Sequence, residues 1–165
     1  MVFTQIFQGT PLLLQLFLIF FGAPLVGMDI NPWIAAGIAL ILNSGAFLGE
    51  IWRGCIQAIP RGQWEAAEAL SLSYASRMRD VVLPQAMKIA VAPTVGYMVQ
   101  IIKGTSLAAI IGFTEITRAG QIINNATFQP LLVFSVVASL YFVICWPLSL
   151  LASRLERRQA RALAR

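Results

Sequence analysis

Histidine is absent from the 165 residues, which leaves no imidazole base, no Ser-His-Asp or Cys-His arrangement and no histidine-bearing metal site. Charge is scarce as well, since 12 basic and 7 acidic residues make up 12% of the chain, about half the share of an ordinary soluble domain. Cys55 and Cys145 stand too far apart for a zinc cluster or a disulfide framework and read as small buried hydrophobes. What fills the chain instead is apolar, 58% of residues with a mean hydropathy of +0.76. These proportions exclude a disordered chain and a water-soluble enzyme, and the apolar surplus must face lipid. The net charge of +5 is not interleaved with aromatics along a polar segment, so nucleic acid is not expected as a partner.

Residues 11–27 are 17 positions without a charge, enough at about 1.5 Å of rise each to cross about 25 Å of hydrocarbon. The ten residues before them hold no Lys or Arg, so a cleaved signal is not expected. A second span is predicted over 32–49, opened by Asn31 as cap and Pro32 in the first turn. Arg53, Arg61, Glu65, Glu68, Arg77, Arg79 and Asp80 then fill 50–84, a loop that cannot lie in lipid. A third span covers 86–102, bent at Pro93, and the apolar 107–113 stretch after it is too short to cross. The fourth, 130–152, has 23 residues without a charge, contains Pro147, and is followed by Arg154, Arg157, Arg158, Arg161 and Arg165 as a headgroup anchor.

The expectation is an all-α helical bundle, one membrane domain over 1–165 with four spans. Four Lys or Arg fall in 50–84 and five after 152, against none in 28–31 and two in 103–129. That bias places the 50–84 loop and both termini in the cytoplasm.

The 50–84 loop carries its own structure. Trp64-Glu-Ala-Ala-Glu-Ala-Leu70 is rich in helix formers, and a second short helix is predicted over 73–83 with Ser73 as its cap. Tyr74, Met78, Val81 and Val82 share one face of it. Such a pair reads either as amphipathic helices resting in headgroups or as a docking knob for a cytoplasmic partner.

Glu65, Ala66 and Ala67, then Ser71 after three residues, then Val81, Leu83 and Pro84, resemble the EAA loop of bacterial ABC importer permeases. Gly9-Thr10-Pro11-Leu12-Leu13 with Gln15-Leu16-Phe17, Asn43-Ser44-Gly45-Ala46 with Glu50, Arg53-Gly54, and Thr105-Ser106-Leu107 after Lys103 are similar to the polar amino-acid uptake members. Ser71 stands where that family usually has Gly, which matters if the turn needs a left-handed residue. Gly104 stands where an acidic or amide residue is more usual. Family members of this kind have five spans, the first preceding the Gly-Thr-Pro stretch, so the resemblance implies that the first helix is lacking.

The resemblance implies a type I ABC importer permease that dimerises with a second, identical or different permease subunit in the bacterial inner membrane. It implies two ATPase subunits that bind ATP and Mg, an external solute-binding protein, and import of an amino acid or similar polar solute by alternating access. Glu65 to Leu72 would sit in a groove of the ATPase, with Ala66 and Ala67 allowing close approach and Glu65 or Glu68 pairing with basic groups there. Glu65, Ala66, Ala67, Glu68, Ser71, Leu83 and Pro84 are thus the coupling candidates. This chain has no phosphate loop, since Lys103-Gly104-Thr105 runs in the wrong order, and no cofactor of its own is expected.

Lys103, Thr105, Ser106 and Glu115 flank the 107–113 stretch, and a zwitterion needs both signs, although loop solvation accounts for them as well. Asn43, Ser44 and Gly45 lie deep in the second span, where helix packing explains them better than solute contact, and Glu50 forms an i, i+3 pair with Arg53, with gating as the alternative role. The rival readings are a truncated, non-transporting fragment or assembly protein and, less favoured without an inverted repeat, a self-sufficient carrier.

Overall fold

The computed structural model describes residues 2–163, with side chains through 159. Among these residues all regular structure is helical. Helix α1 (Val2–Gly9) meets α2 (Leu12–Gly22) at 98°. Pro11 causes the break, because it has no N–H to continue α1 and its ring excludes a helical residue before it.

A 3-10 turn over Ala23–Val26 ends α2 at Gly27. The expected 11–27 span is therefore α2 plus this turn, lying along the first half of α3, where Leu16 packs among Ala35, Ala36 and Ala39. It reaches the length of a membrane crossing only together with α1.

Helix α3 (Pro32–Gln57) opens as expected, with Asn31 Oδ1 accepting the Ile34 N–H at 2.9 Å and Pro32 in the first turn. It runs two turns past residue 49. Glu50 ends the apolar run, not the helix, because Arg53 bonds both Glu50 and Gln57 along the exposed face. Pro60 stops the helical approach, and α4 (Arg61–Ala69) follows it at once.

The expected second short helix is not separate. Ser73 caps α5 (Tyr74–Ser76), whose axis continues through a π-helical turn, Arg77–Val82, into α6 (Leu83–Thr105) and a 3-10 segment, Ser106–Ile111. Pro84 explains the widened turn, since it cannot donate to the Asp80 carbonyl and pushes that group away. Gln85 Nε2 donates to the Val81 carbonyl at 2.8 Å in the same turn.

Helix α7 (Ile116–Thr127) and the 34-residue α8 (Pro130–Leu163) complete the chain. Pro93 and Pro147 lie inside α6 and α8. Of the expected arginine anchor, Arg165 lies outside the described residues and Arg161 outside the described side chains.

Helix α6 is the centre, packed between α3 and α8, while α1 and α2 lean on α3 and α7 on α8. Buried alanines dominate the contacts, including Ala35, Ala36, Ala39, Ala46, Ala86, Ala90 and Ala92. Small residues let helix backbones approach where no water is available to drive association. The 107–113 stretch is part of this packing, for Ala108 and Ile111 join the Leu16 cluster. The α8 surface is the opposite, with Leu131, Phe142, Val143 and Trp146 all exposed. Three helical stretches, Pro32–Gln57, Tyr74–Ile111 and Pro130–Gln159, are long and apolar enough to cross a membrane, and a fourth if the bent α1–α2 pair is counted.

Candidate functional site

The region carrying Glu65 to Pro84 folds as a knob at the ends of α3 and α6. Ile59, Val82 and Ala86 form its buried floor, with Trp64, Met78, Ile56 and Ile89 packed against them. Trp64 roots α4 in this floor, and Gln85 Nε2 donates to Gln63 Oε1 at 3.2 Å beside it.

The coupling candidates divide by face. Ala67 points inward and is 2% exposed, so its small size serves packing within the chain. Glu65 and Ala66 face outward, and among the described residues nothing bonds the Glu65 carboxylate. Glu68 is occupied, its Oε2 lying 3.2 Å from Arg77 Nη1. Leu83 and Pro84 are half-buried at the start of α6.

Ser71 adopts φ +57°, in the left-handed region. Its N–H donates to the Glu68 carbonyl at 2.8 Å and the Leu72 N–H to the Ala67 carbonyl at 3.2 Å. That pair of bonds is the Schellman arrangement, which closes a helix around one left-handed residue. The turn therefore does need the positive φ that glycine would adopt at lower cost.

A second polar centre lies within the bundle. Breaking the chain at Pro11 strands carbonyls at the end of α1, and in a membrane interior these need donors from the protein. The buried Gln15 amide donates to the Phe7 carbonyl at 2.8 Å and to the Thr10 carbonyl at 3.0 Å. Asn43, also buried, donates to the Phe7 carbonyl at 3.3 Å and to Gln15 Oε1 at 3.2 Å. The Tyr97 hydroxyl reaches Asn43 Oδ1 at 3.5 Å, with Ser44 next to Asn43 on α3.

Asn43 and Ser44 are thus brought together with Gln15 and Tyr97, whereas Gly45 faces away and the neighbouring Ala46 is the buried residue. Glu50 sits apart on the exposed flank, paired with Arg53. A 570 Å³ cavity beside the network is lined by Gln8, Thr10, Asn43, Tyr97 and Gln100, with no charged side chain among its walls. Tyr97, Gln8 and Gln100 were not picked out by sequence, and Gln15 entered only through the resemblance, although it is the one amide in an apolar run, which is a readable signal.

Lys103, Thr105, Ser106 and Glu115 gather near the far end of α6. The Thr105 hydroxyl donates to the Ile102 carbonyl at 2.7 Å and that of Ser106 to the Lys103 carbonyl at 2.6 Å. Glu115 caps α7, accepting from the Thr117 N–H at 2.8 Å, the Arg118 N–H at 2.7 Å and the Tyr141 hydroxyl at 2.6 Å. Three donors within the chain already hold that carboxylate. Lys103 is exposed and shares a 420 Å³ cavity with Tyr141 and Trp146. Among the described residues no group of three or more Cys, Asp or Glu could hold a metal ion.

Comparison with known proteins extends over nearly the whole chain. The family described as binding-protein-dependent transport system inner membrane component matches residues 1–161. The L-cystine transport system permease protein TcyB of Bacillus subtilis (strain 168) is 37% identical over 165 residues, which are 99% of this chain and 70% of that protein. The glutamine transport system permease protein GlnP of Escherichia coli (strain K12) is 39% identical over 160 residues, 96% of this chain and 73% of that one. A crystal structure of an amino acid ABC transporter with histidines superposes with a TM-score of 0.90 at 37% identity, covering 95% of this chain and 73% of its own.

Proposed function

Because the chain belongs to the family of inner membrane components of binding-protein-dependent transport systems, we propose that it is the permease subunit of an ATP-driven importer for an amino acid or similar polar solute. ATP and Mg are bound and hydrolysed in partner ATPase subunits, a second permease subunit completes the pathway, and an external binding protein delivers the solute. The chain itself is a transport subunit and not an enzyme. It sits in the bacterial inner membrane with the 50–84 region and both termini in the cytoplasm, where Lys and Arg accumulate.

The observation that carries this reading is the knob. Its α4 offers an exposed, unengaged Glu65 and a small Ala66 on a short helix rooted by Trp64 and Ala67. That surface suits close packing against a partner with basic groups. The knob is also continuous with a helical stretch of 38 residues, Tyr74–Ile111, so a displacement applied to it reaches the bundle. Relatives named for cystine and for glutamine support an amino acid as the cargo class. The uncharged amides and hydroxyls around the 570 Å³ cavity suit a polar solute passing beside Asn43 and Tyr97.

The test is reconstitution in vesicles with the cognate ATPase and binding protein, followed by uptake of labelled amino acids. Uptake that requires ATP, and that Glu65→Arg or Ala66→Arg abolishes together with ATPase co-purification, is the expected result. Accumulation without ATP would overturn the proposal in favour of a carrier.

A further inference from the structure

Resting on the reading of α4 as the surface engaged by the ATPase, we infer that Arg77 is the positioning residue that makes α4 move as one body with α6. Helix α4 is held to the rest of the fold along its inner face, by Trp64 and the buried Ala67, and by polar contacts near its start and its end. Near its start, Trp64 enters the Ile59, Val82 and Ala86 floor and Gln63 bonds Gln85. Near its end, the charged contact is Arg77 Nη1 to Glu68 Oε2 at 3.2 Å. Without Arg77, the end of α4 beyond Ala67 loses its charged tie, and a push on Glu65 and Ala66 is passed on through the packed inner face alone.

Arg77 is well placed to receive such a push. It opens the π-helical turn on the unbroken axis from Tyr74 to Ile111, so whatever moves Glu68 moves α6. The pair also differs from an ordinary surface ion pair. The Arg77 side chain is 21% exposed against 69% for Glu68, and its Nε is buried with no acceptor. Among the described residues, Glu68 is the one carboxylate within ion-pair distance of this half-buried guanidinium. The other ion pairs join nothing across the fold: Glu50–Arg53 lies within α3, and Arg79–Asp80 links neighbours at 3.9 Å. Among the described residues Glu68–Arg77 is the one ion pair that bridges two elements.

The experiment uses the assembled transporter in vesicles and measures ATPase co-purification, ATP hydrolysis and solute moved per ATP. Arg77→Met keeps the side-chain volume without the charge, and Glu68→Gln removes the carboxylate that Arg77 pairs with. The charge-reversed double variant Glu68→Arg, Arg77→Glu restores a pair. Arg77→Met is expected to retain the ATPase while solute moved per ATP falls about 2- to 30-fold, the range for residues that transmit coupling between sites. The reversed pair should recover most of that loss.

Wild-type solute per ATP in Arg77→Met overturns the inference. So does loss of ATPase binding in proportion to loss of transport, which would make Arg77 an assembly residue. If Arg77→Met is too unstable to purify, Glu68→Gln supplies the same readings, and normal solute per ATP there also overturns it. Failure of the importer reading is distinguishable, because the wild-type complex itself would then show no ATP-dependent uptake.

Discussion

Replacing Ser71 by glycine should tighten the end of α4. Three turns in this chain close with the same two bonds. Gly27 donates to Pro24 and Met28 to Ala23, both at 3.0 Å, and Gly112 donates to Ala109 at 3.1 Å and Phe113 to Ala108 at 3.2 Å. Ser71 and Leu72 repeat the pattern onto Glu68 and Ala67. In these three turns the left-handed residue is glycine twice, at φ +77° and +85°, and serine once, at +57°; Phe128, at +55°, is left-handed at the end of α7 without that pair of bonds.

A residue with a Cβ meets a cost of about 1–2 kcal/mol in that region. Glycine removes it but loses about 0.4–1 kcal/mol through the greater freedom of its unfolded chain. The midpoints of the two ranges leave a net gain of about 0.8 kcal/mol, equivalent to about 4-fold in the local opening equilibrium. Amide hydrogen exchange at Leu72, whose N–H closes the outer bond of the turn, reads this directly in detergent micelles. Ser71→Ala should match the wild type, and Ser71→Val should lose protection, because a β-branched side chain crowds the backbone further. Reduced protection in Ser71→Gly, or an unaffected Ser71→Val, would refute the argument that positive φ limits this cap.

Elsewhere the contacts give similarly direct expectations. A Cβ at Gly120 would lie 2.6 Å from Val137 Cγ2, so Gly120→Ala should destabilise the α7–α8 contact by about 1–3 kcal/mol in thermal unfolding in detergent. Val137→Ala should restore most of that loss, whereas a double variant no better than the single would show that the steric account is wrong. Gln15→Leu removes the amide donor for the Phe7 and Thr10 carbonyls and should lower stability by about 1–2 kcal/mol; an unchanged melting midpoint would mean that those carbonyls find other donors. Ala67→Glu should unseat α4, seen as faster proteolysis between residues 60 and 73, while Ala66→Arg should leave the cleavage pattern alone and reduce ATPase co-purification.

Some features were legible residue by residue. Asn31 and Pro32 announced the start of α3, Ser73 the start of α5, and the charge-free run over 130–152 the body of α8, because each depends on local backbone chemistry or on composition. Ser71 was legible as a question, since its position in the loop pointed to a possible left-handed turn, and the answer required the backbone. The predicted 32–49 span left the end of α3 open, as charge marks where lipid stops and not where a helix stops, and the helix runs on to Gln57. The second loop helix could not be seen to merge with α6, because Pro84 widens the helix there without ending it.

The roles of Ala67, Glu68 and Glu115 were not readable at all. Adjacent alanines look alike in sequence, yet a helix turns about 100° per residue, so Ala66 faces out while Ala67 faces in. Glu68 and Glu115 are committed by Arg77 and Tyr141, partners 9 and 26 positions away.

By itself the order of residues determined that this chain is helical, lipid-facing and without histidine chemistry, since those properties follow from hydrophobic free energy and from side-chain inventory summed along the chain. Only the tertiary structure decided that Gln15 and Asn43 serve the stranded end of α1, that Ala108, Ala109 and Ile111 are buried, and that α4 is tied to the start of α6 and to the π-helical turn before it. Each of these depends on a contact between segments remote in sequence, and such contacts are set by which helix faces meet once the bundle has packed.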